Sequence, residues 1–123
     1  MKKILIADDS LFMRKVLTDI ISSKTDKYKI LEAHSGTSAL EMFKKESPDL
    51  ILLDIIMPES EEAGLKVLRK VMKTDPEAKV VMITAVGQEL IIEECKRLGA
   101  KNYITKPFDE EQVVQTVEKC LSE

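Results

Sequence analysis

No stretch of these 123 residues approaches the ~18 uninterrupted apolar positions that a membrane-crossing helix needs. The start, "MKKILIADDS", has acids where the apolar part of a secretory leader should continue, so a cytoplasmic protein is expected. A surplus of positive charge is also missing. Nineteen Lys and Arg are interspersed with 22 Asp and Glu for a net charge of −3, which lacks the electrostatic footprint of a nucleic-acid binder. Cysteine and histidine are scarce. Cys95 and Cys120 are far from each other and from the single histidine, His34. That spacing excludes a disulfide framework and a zinc site, and one histidine in a loop offers no histidine-based phosphorelay. Internal repeats, linkers and low-complexity segments are absent too, so the chain is read as one domain, residues 1–123.

What is present suits a soluble α/β domain. With 44% hydrophobic and 33% charged residues, the chain can bury a core without staples. Five short apolar runs are expected as strands: Lys3 to Ala7, Tyr28 to Ala33, Leu50 to Leu53, Lys79 to Thr84 and Lys101 to Thr105. Several are continuous rather than alternating, as in parallel sheets covered on both faces. Helical spacing separates them. Ser10 can cap a helix burying Met13, Val16, Leu17, Ile20 and Ile21; a second follows Gly36, with Ala39, Leu40 and Phe43 inward and Pro48 beyond its end. Leu65, Leu68 and Met72 mark a third, stopped before Pro76. Ile91, Cys95 and Leu98 mark a fourth, ended by Gly99, and Asp109 caps a fifth that turns Val113, Val117 and Cys120 or Leu121 inward. Taking Ile91, Cys95 and Leu98 as the core stripe leaves Leu90 and Ile92 about 100° to either side, making Ile92 a candidate exposed contact. Strict β-α alternation predicts an open, doubly wound five-stranded parallel sheet of (βα)5 type. Ligands of such sheets bind outside the carboxyl ends of the strands.

The stretch "ILLDIIMPESEEAG", Ile51 to Gly64, ends a buried-looking strand on a carboxylate, which is costly unless something pairs it. Other strand ends supply candidates: Asp8 and Asp9 after the first, Thr84 at the end of the fourth, Lys106 and Pro107 after the fifth. Singly, each is explained as a turn former, helix cap, strand residue or solvated charge. Together, on one edge, Asp8, Asp9 and Asp54 form a set of hard oxygen donors suited to Mg2+ with room left for a phosphoryl group.

These motifs resemble, over essentially the whole chain, the receiver domain of two-component response regulators, most nearly the CheY-like chemotaxis type. The resemblance implies a flavodoxin-like strand order of 2-1-3-4-5 and a phosphoacceptor at Asp54 in "LILLD". It also implies Mg2+ held by Asp8 and Asp9 of "ADDS", by Asp54 and by the backbone carbonyl of Ile56. Thr84 in "MITA" matches the switch hydroxyl and Tyr103 in "KNYITKPF" the switch aromatic. Lys106 matches the site lysine, joined to Pro107 by a cis peptide. The implied partners are a sensor histidine kinase as donor and an effector on the face of the fourth helix, fifth strand and fifth helix; for a chemotaxis type, that effector is a flagellar-motor switch protein. The implied protein is a phosphoacceptor switch rather than an enzyme, a monomer or weak homodimer, contacting neither nucleic acid nor membrane.

One departure stands out. The family usually places a glycine eight residues after the acceptor, whereas Asp54 to Gly64 is ten, so "PESEEAG" lengthens the loop beside the site. Ile56 and Val86, at positions that tune phosphoryl lifetime in the family, are both apolar, and Ala85 is small enough to admit a donor. Rival readings fare less well. An aspartyl-nucleophile phosphatase would want a second acid two residues after the nucleophile, where Ile56 stands. A flavin module would want a Ser/Thr/Gly phosphate loop where "DDSLFM" presents negative charge. Within the family, the alternative is the receiver part of a larger regulator with a DNA-binding or enzymatic output.

Overall fold

A computed structural model describes residues 1–23, 26–85 and 87–123. The described residues form, in chain order, β1 (Lys2–Ala7), α1 (Leu11–Ser22), β2 (Tyr28–Ala33), α2 (Gly36–Glu46), β3 (Leu50–Asp54), α3 (Ala63–Thr74), β4 (Val80–Thr84), α4 (Glu89–Leu98), β5 (Asn102–Thr105) and α5 (Glu110–Ser122). All pairings are parallel, and the strand order is β2-β1-β3-β4-β5, as expected. None of the helices is long and apolar enough to cross a membrane.

Strand residues two apart share a face, and here both faces are apolar, which explains the unbroken hydrophobic runs. Leu5, Ile51, Leu53, Val80 and Met82 pack against α2, α3 and α4; Ile4, Ile6, Leu50, Leu52, Val81, Ile83 and Ile104 pack against α1 and α5. Local chemistry sets the helix ends. Ser10 Oγ accepts from the Met13 N–H to open α1, Asp109 accepts from the Glu111 and Gln112 N–H groups to open α5, and Gly99 closes α4 at φ +112°. Ser35 and Ser38 exchange bonds in a capping box at the start of α2.

The apolar stripe of α4 is wider than the one expected. Cys95 is buried, with Ile91 and Leu98 packed against the same core cluster as expected, but Ile92 is only 9% exposed and Leu90 is the exposed residue at 87%. Ile92 is therefore not a surface contact. Residues three and four before Cys95 can each share its face, and both are covered here.

β1 lies between β2 and β3, and the chain's direction of winding reverses there. The register pairs Ala7 with Leu53, so the next residues, Asp8 and Asp54, leave the sheet side by side.

Candidate functional site

The aspartates at that reversal are buried to different extents. Asp8 is fully buried and Asp54 is 7% exposed, while Asp9 faces solvent. Asp8 is held from three directions: its N–H donates to the Ala33 carbonyl, its Oδ1 accepts from the Ser10 N–H at 2.9 Å, and its carbonyl accepts from Arg14. Arg14 is in turn oriented by Glu32 at 2.8 Å. A carboxylate oxygen from each of Asp8, Asp9 and Asp54 lies within 4.8 Å of the others.

Lys106 reaches this cluster from the end of β5. Its N–H donates to the Thr84 carbonyl at 2.8 Å, and the Lys106–Pro107 peptide is cis. Its Nζ lies 3.0 Å from Asp54 Oδ2, to which it donates a hydrogen bond, and 3.2 Å from Asp8 Oδ2. Burial acts to lower the ammonium pKa, but Asp54 and then Asp8 outweigh it and the net shift is upward, so the lysine is firmly charged. Asp54 moves the other way for a carboxyl. Burial raises its pKa; Lys106 opposes this, Asp8 reinforces it, and the result is about 6, with the Ile56 backbone N–H also bonded to the carboxylate.

One lysine does not satisfy this set. Asp8 Oδ2 forms an ion pair with Lys106 but accepts no well-directed hydrogen bond, and the buried Thr84 Oγ1 has no partner among the described residues. An inaccessible carboxylate oxygen lacking a hydrogen bond, beside two more carboxylates, is a donor set that fits a small hard cation such as Mg2+. Asp8, Asp9 and Asp54 would hold it with their side chains.

The chain matches the model of the response regulator receiver domain over residues 4–118. It belongs to that family. The receiver domain is similar to the chemotaxis protein CheY of Thermotoga maritima, 40% identical over 119 residues that cover 96% of each chain. It is also similar to the solved receiver domain of NtrX from Brucella abortus, with 31% identity and a TM-score of 0.88 over 97% of this chain and 98% of that one. In the longer NtrX chain, the same likeness covers 27% of that protein.

The receiver domain thus brings Asp8, Asp9, Asp54, Thr84 and Lys106 to one edge, as their positions at strand ends predict. Tyr103 stands apart from the acids on β5, half-buried against the α4 side of the core, with Lys96 Nζ 5.1 Å from its ring centroid. Val86 lies outside the described residues.

Two features escaped sequence reasoning. Leu11, Phe12 and Ile56, immediately beyond the acids in the chain, are exposed apolar residues at 60, 69 and 46%. Glu59, in the lengthened loop, reaches the start of α2: Oε1 accepts from the Gly36 N–H at 3.0 Å, and Oε2 from the Thr37 N–H at 2.8 Å and Thr37 Oγ1 at 3.1 Å. More than twenty positions separate these partners, and no local pattern links them.

Proposed function

We propose that residues 1–123 form one receiver domain that accepts a phosphoryl group on Asp54 from a sensor histidine kinase or a small phosphodonor. The modified domain then changes what binds its α4-β5-α5 face. The observation that carries this reading is Lys106 Nζ set between the buried carboxylates of Asp8 and Asp54 at the winding reversal of the sheet. Mg2+, when bound, supplies charge neutralisation and a template for the phosphoryl oxygens. Asp54 acts as the nucleophile: its Oδ forms the new P–O bond while the P–N bond of phosphohistidine breaks, and the imidazole leaves with the electron pair and takes up a proton. Lys106 stabilises charge on the phosphoryl oxygens in transit. The Thr84 hydroxyl, buried without a partner among the described residues, then has an acceptor, and its movement makes room for the Tyr103 ring. The domain works as a switch rather than a turnover enzyme. The exposed Leu11, Phe12 and Ile56 suit a kinase surface beside Asp54, and Leu90 suits an effector on the α4 side.

Of the two family settings, a chemotaxis-type protein acting on a flagellar-motor switch is favoured by the Thermotoga relative, a chemotaxis protein 40% identical over 96% of each chain. The receiver part of a larger regulator is the second reading, favoured by the longer NtrX chain. The test is intact mass after incubation with Mg2+ and acetyl phosphate or phosphoramidate, for the parent and Asp54→Ala. One labile phosphoryl group is expected in the parent alone; equal modification of both would refute the assignment of Asp54. Lys106→Ala is expected to accept some phosphoryl group but lose the change in partner binding.

A further inference from the structure

The loop from Ile55 to Glu62 follows the acceptor, and it is two residues longer than the family pattern. A longer loop has more conformations to lose, and a backbone carbonyl near its start is only as well placed as the loop is ordered. Several contacts order it. Met57 is buried, Met57 and Ser60 exchange backbone hydrogen bonds at 3.3 and 3.1 Å, and the Gly64 N–H donates to the Ile55 carbonyl at 2.8 Å. The one that reaches another element through a side chain is the Glu59 carboxylate with its three bonds to Gly36 and Thr37. The first four N–H groups of an α-helix have no partner within the helix, and at α2 the capping box satisfies those of Ser35 and Ser38. Glu59 takes the two that remain, at the end of α2 where the dipole favours negative charge. The Thr37 and then the Gly36 N–H groups hold its carboxyl well below the ordinary range, at about 2, so the clamp is ionised at any physiological pH.

We propose that Glu59 is a positioning residue: by fastening the lengthened loop to α2, it holds the Ile56 backbone at the acidic cluster and so sets the affinity of the site for Mg2+. This deepens the receiver reading and rests on it. The clamp replaces the tautness that a shorter loop would have had by its length alone.

The test is a Mg2+ titration followed by backbone amide NMR on the parent, Glu59→Ala, Glu59→Gln and Ser35→Ala. Ser35→Ala weakens the same helix end without touching the loop, which separates positioning from general loss of stability. Glu59→Ala is expected to weaken Mg2+ binding about three- to tenfold, the range one or two net hydrogen bonds lost from loop ordering would give. Glu59→Gln, which keeps one acceptor oxygen, should fall between, and Ser35→Ala should bind as the parent does. Without Mg2+, amide exchange at Met57, Ser60 and Gly64 should quicken in Glu59→Ala but not in Ser35→Ala. Parent-like affinity in Glu59→Ala, or an equal loss in Ser35→Ala, would overturn the proposal while leaving the receiver reading intact. A parent that binds no Mg2+ would overturn both.

Discussion

Replacing Asp54 by Asn should make the ion-free protein more stable, although it removes the proposed phosphoacceptor. The carboxyl pKa rises from 3.8 to about 6 because burial and then Asp8 outweigh the attraction of Lys106. At about 1.4 kcal/mol per pH unit, this corresponds to about 3 kcal/mol against ionised Asp54 in the folded state. The Lys106 interaction is already contained in that net value, so its loss in the variant is not subtracted again. Asn keeps the shape and drops the charge. The sign follows from proton binding. Between 3.8 and about 6 the unfolded chain has released this proton while the folded one retains it. The contribution of Asp54 to stability is therefore full below 3.8, falls as pH rises through 6, and is a net penalty at neutral pH. Other carboxyls titrate over the same range, so the informative quantity is the difference between two urea-denaturation series, parent and Asp54→Asn, measured in chelator across that window.

The expected difference is near zero at the acid end and grows to about 3 kcal/mol in favour of Asn near neutrality. Adding Mg2+ should narrow or reverse it, because a cation at ten times its dissociation constant stabilises the parent by about 1.4 kcal/mol and the variant by less. A difference independent of pH, or an Asn variant no more stable than the parent near neutrality without cation, would refute the electrostatic account of the site.

Gly64→Ala should be severely destabilising: its methyl group would press on the Asp54 carbonyl oxygen and lie 2.7 Å from the Ile55 Cα, backbone atoms that cannot turn aside. A loss of about 3 kcal/mol in urea denaturation is expected, with displacement of Asp54; a loss within experimental error would show that α3 can retreat. The Cys95 and Cys120 thiols are both buried, and burial pushes the first up to about 11 and raises the second, so neither should be alkylated by iodoacetamide at neutral pH until the protein is denatured. Rapid labelling of the native protein would contradict the packing of α4 and α5.

Most of the site was legible because the residues that form it are local events repeated at equivalent places. Each strand is an apolar run with a definite end, and the parallel topology carries Asp8, Asp54, Thr84 and Lys106 to the same edge whatever the exact register. The caps at Ser10, Gly99 and Asp109 were legible for the same reason, since a cap acts within a few residues. The burial of Ile92 on α4 was not. In "ELIIEECKRL", Cys95 can share a stripe with Ile91, four residues before it, or Ile92, three before, and Leu98 accompanies either. Ile91 and Leu98 do pack on the core cluster that holds Cys95, yet Ile92 is covered as well and Leu90 is the one left exposed, which spacing alone does not decide. Glu59 was hidden for a different reason: its value lies in meeting Gly36 and Thr37, and an acid in a loop of acids gives no sign of which one will find a helix end.

The unpaired atoms at this edge have a common energetic meaning. A buried hydroxyl without a partner among the described residues, as at Thr84, forgoes about 1–3 kcal/mol, and a buried carboxylate such as Asp54 that shares one lysine with Asp8 is held at a further penalty. Native structures seldom tolerate such deficits where nothing is to be bound. A phosphoryl group on Asp54 would offer acceptor oxygens to both the Thr84 hydroxyl and the Lys106 ammonium. Reversing a two-state equilibrium from 1:99 to 99:1 takes about 5.5 kcal/mol of differential interaction. A hydroxyl deficit of about 1–3 kcal/mol relieved, and a Lys106 bond exchanged from carboxylate to more highly charged phosphoryl oxygens, supply part of that figure. On this argument part of the free energy for switching comes from the Thr84 hydroxyl, and removing it should uncouple modification from output without blocking modification. Thr84→Ala is the variant that does so: it should take the phosphoryl group at close to the parent's rate yet leave the environment of Tyr103, followed by its ring resonances, unchanged on modification. A normal Tyr103 response in phosphorylated Thr84→Ala would mean that the switch draws its energy from elsewhere in the fold.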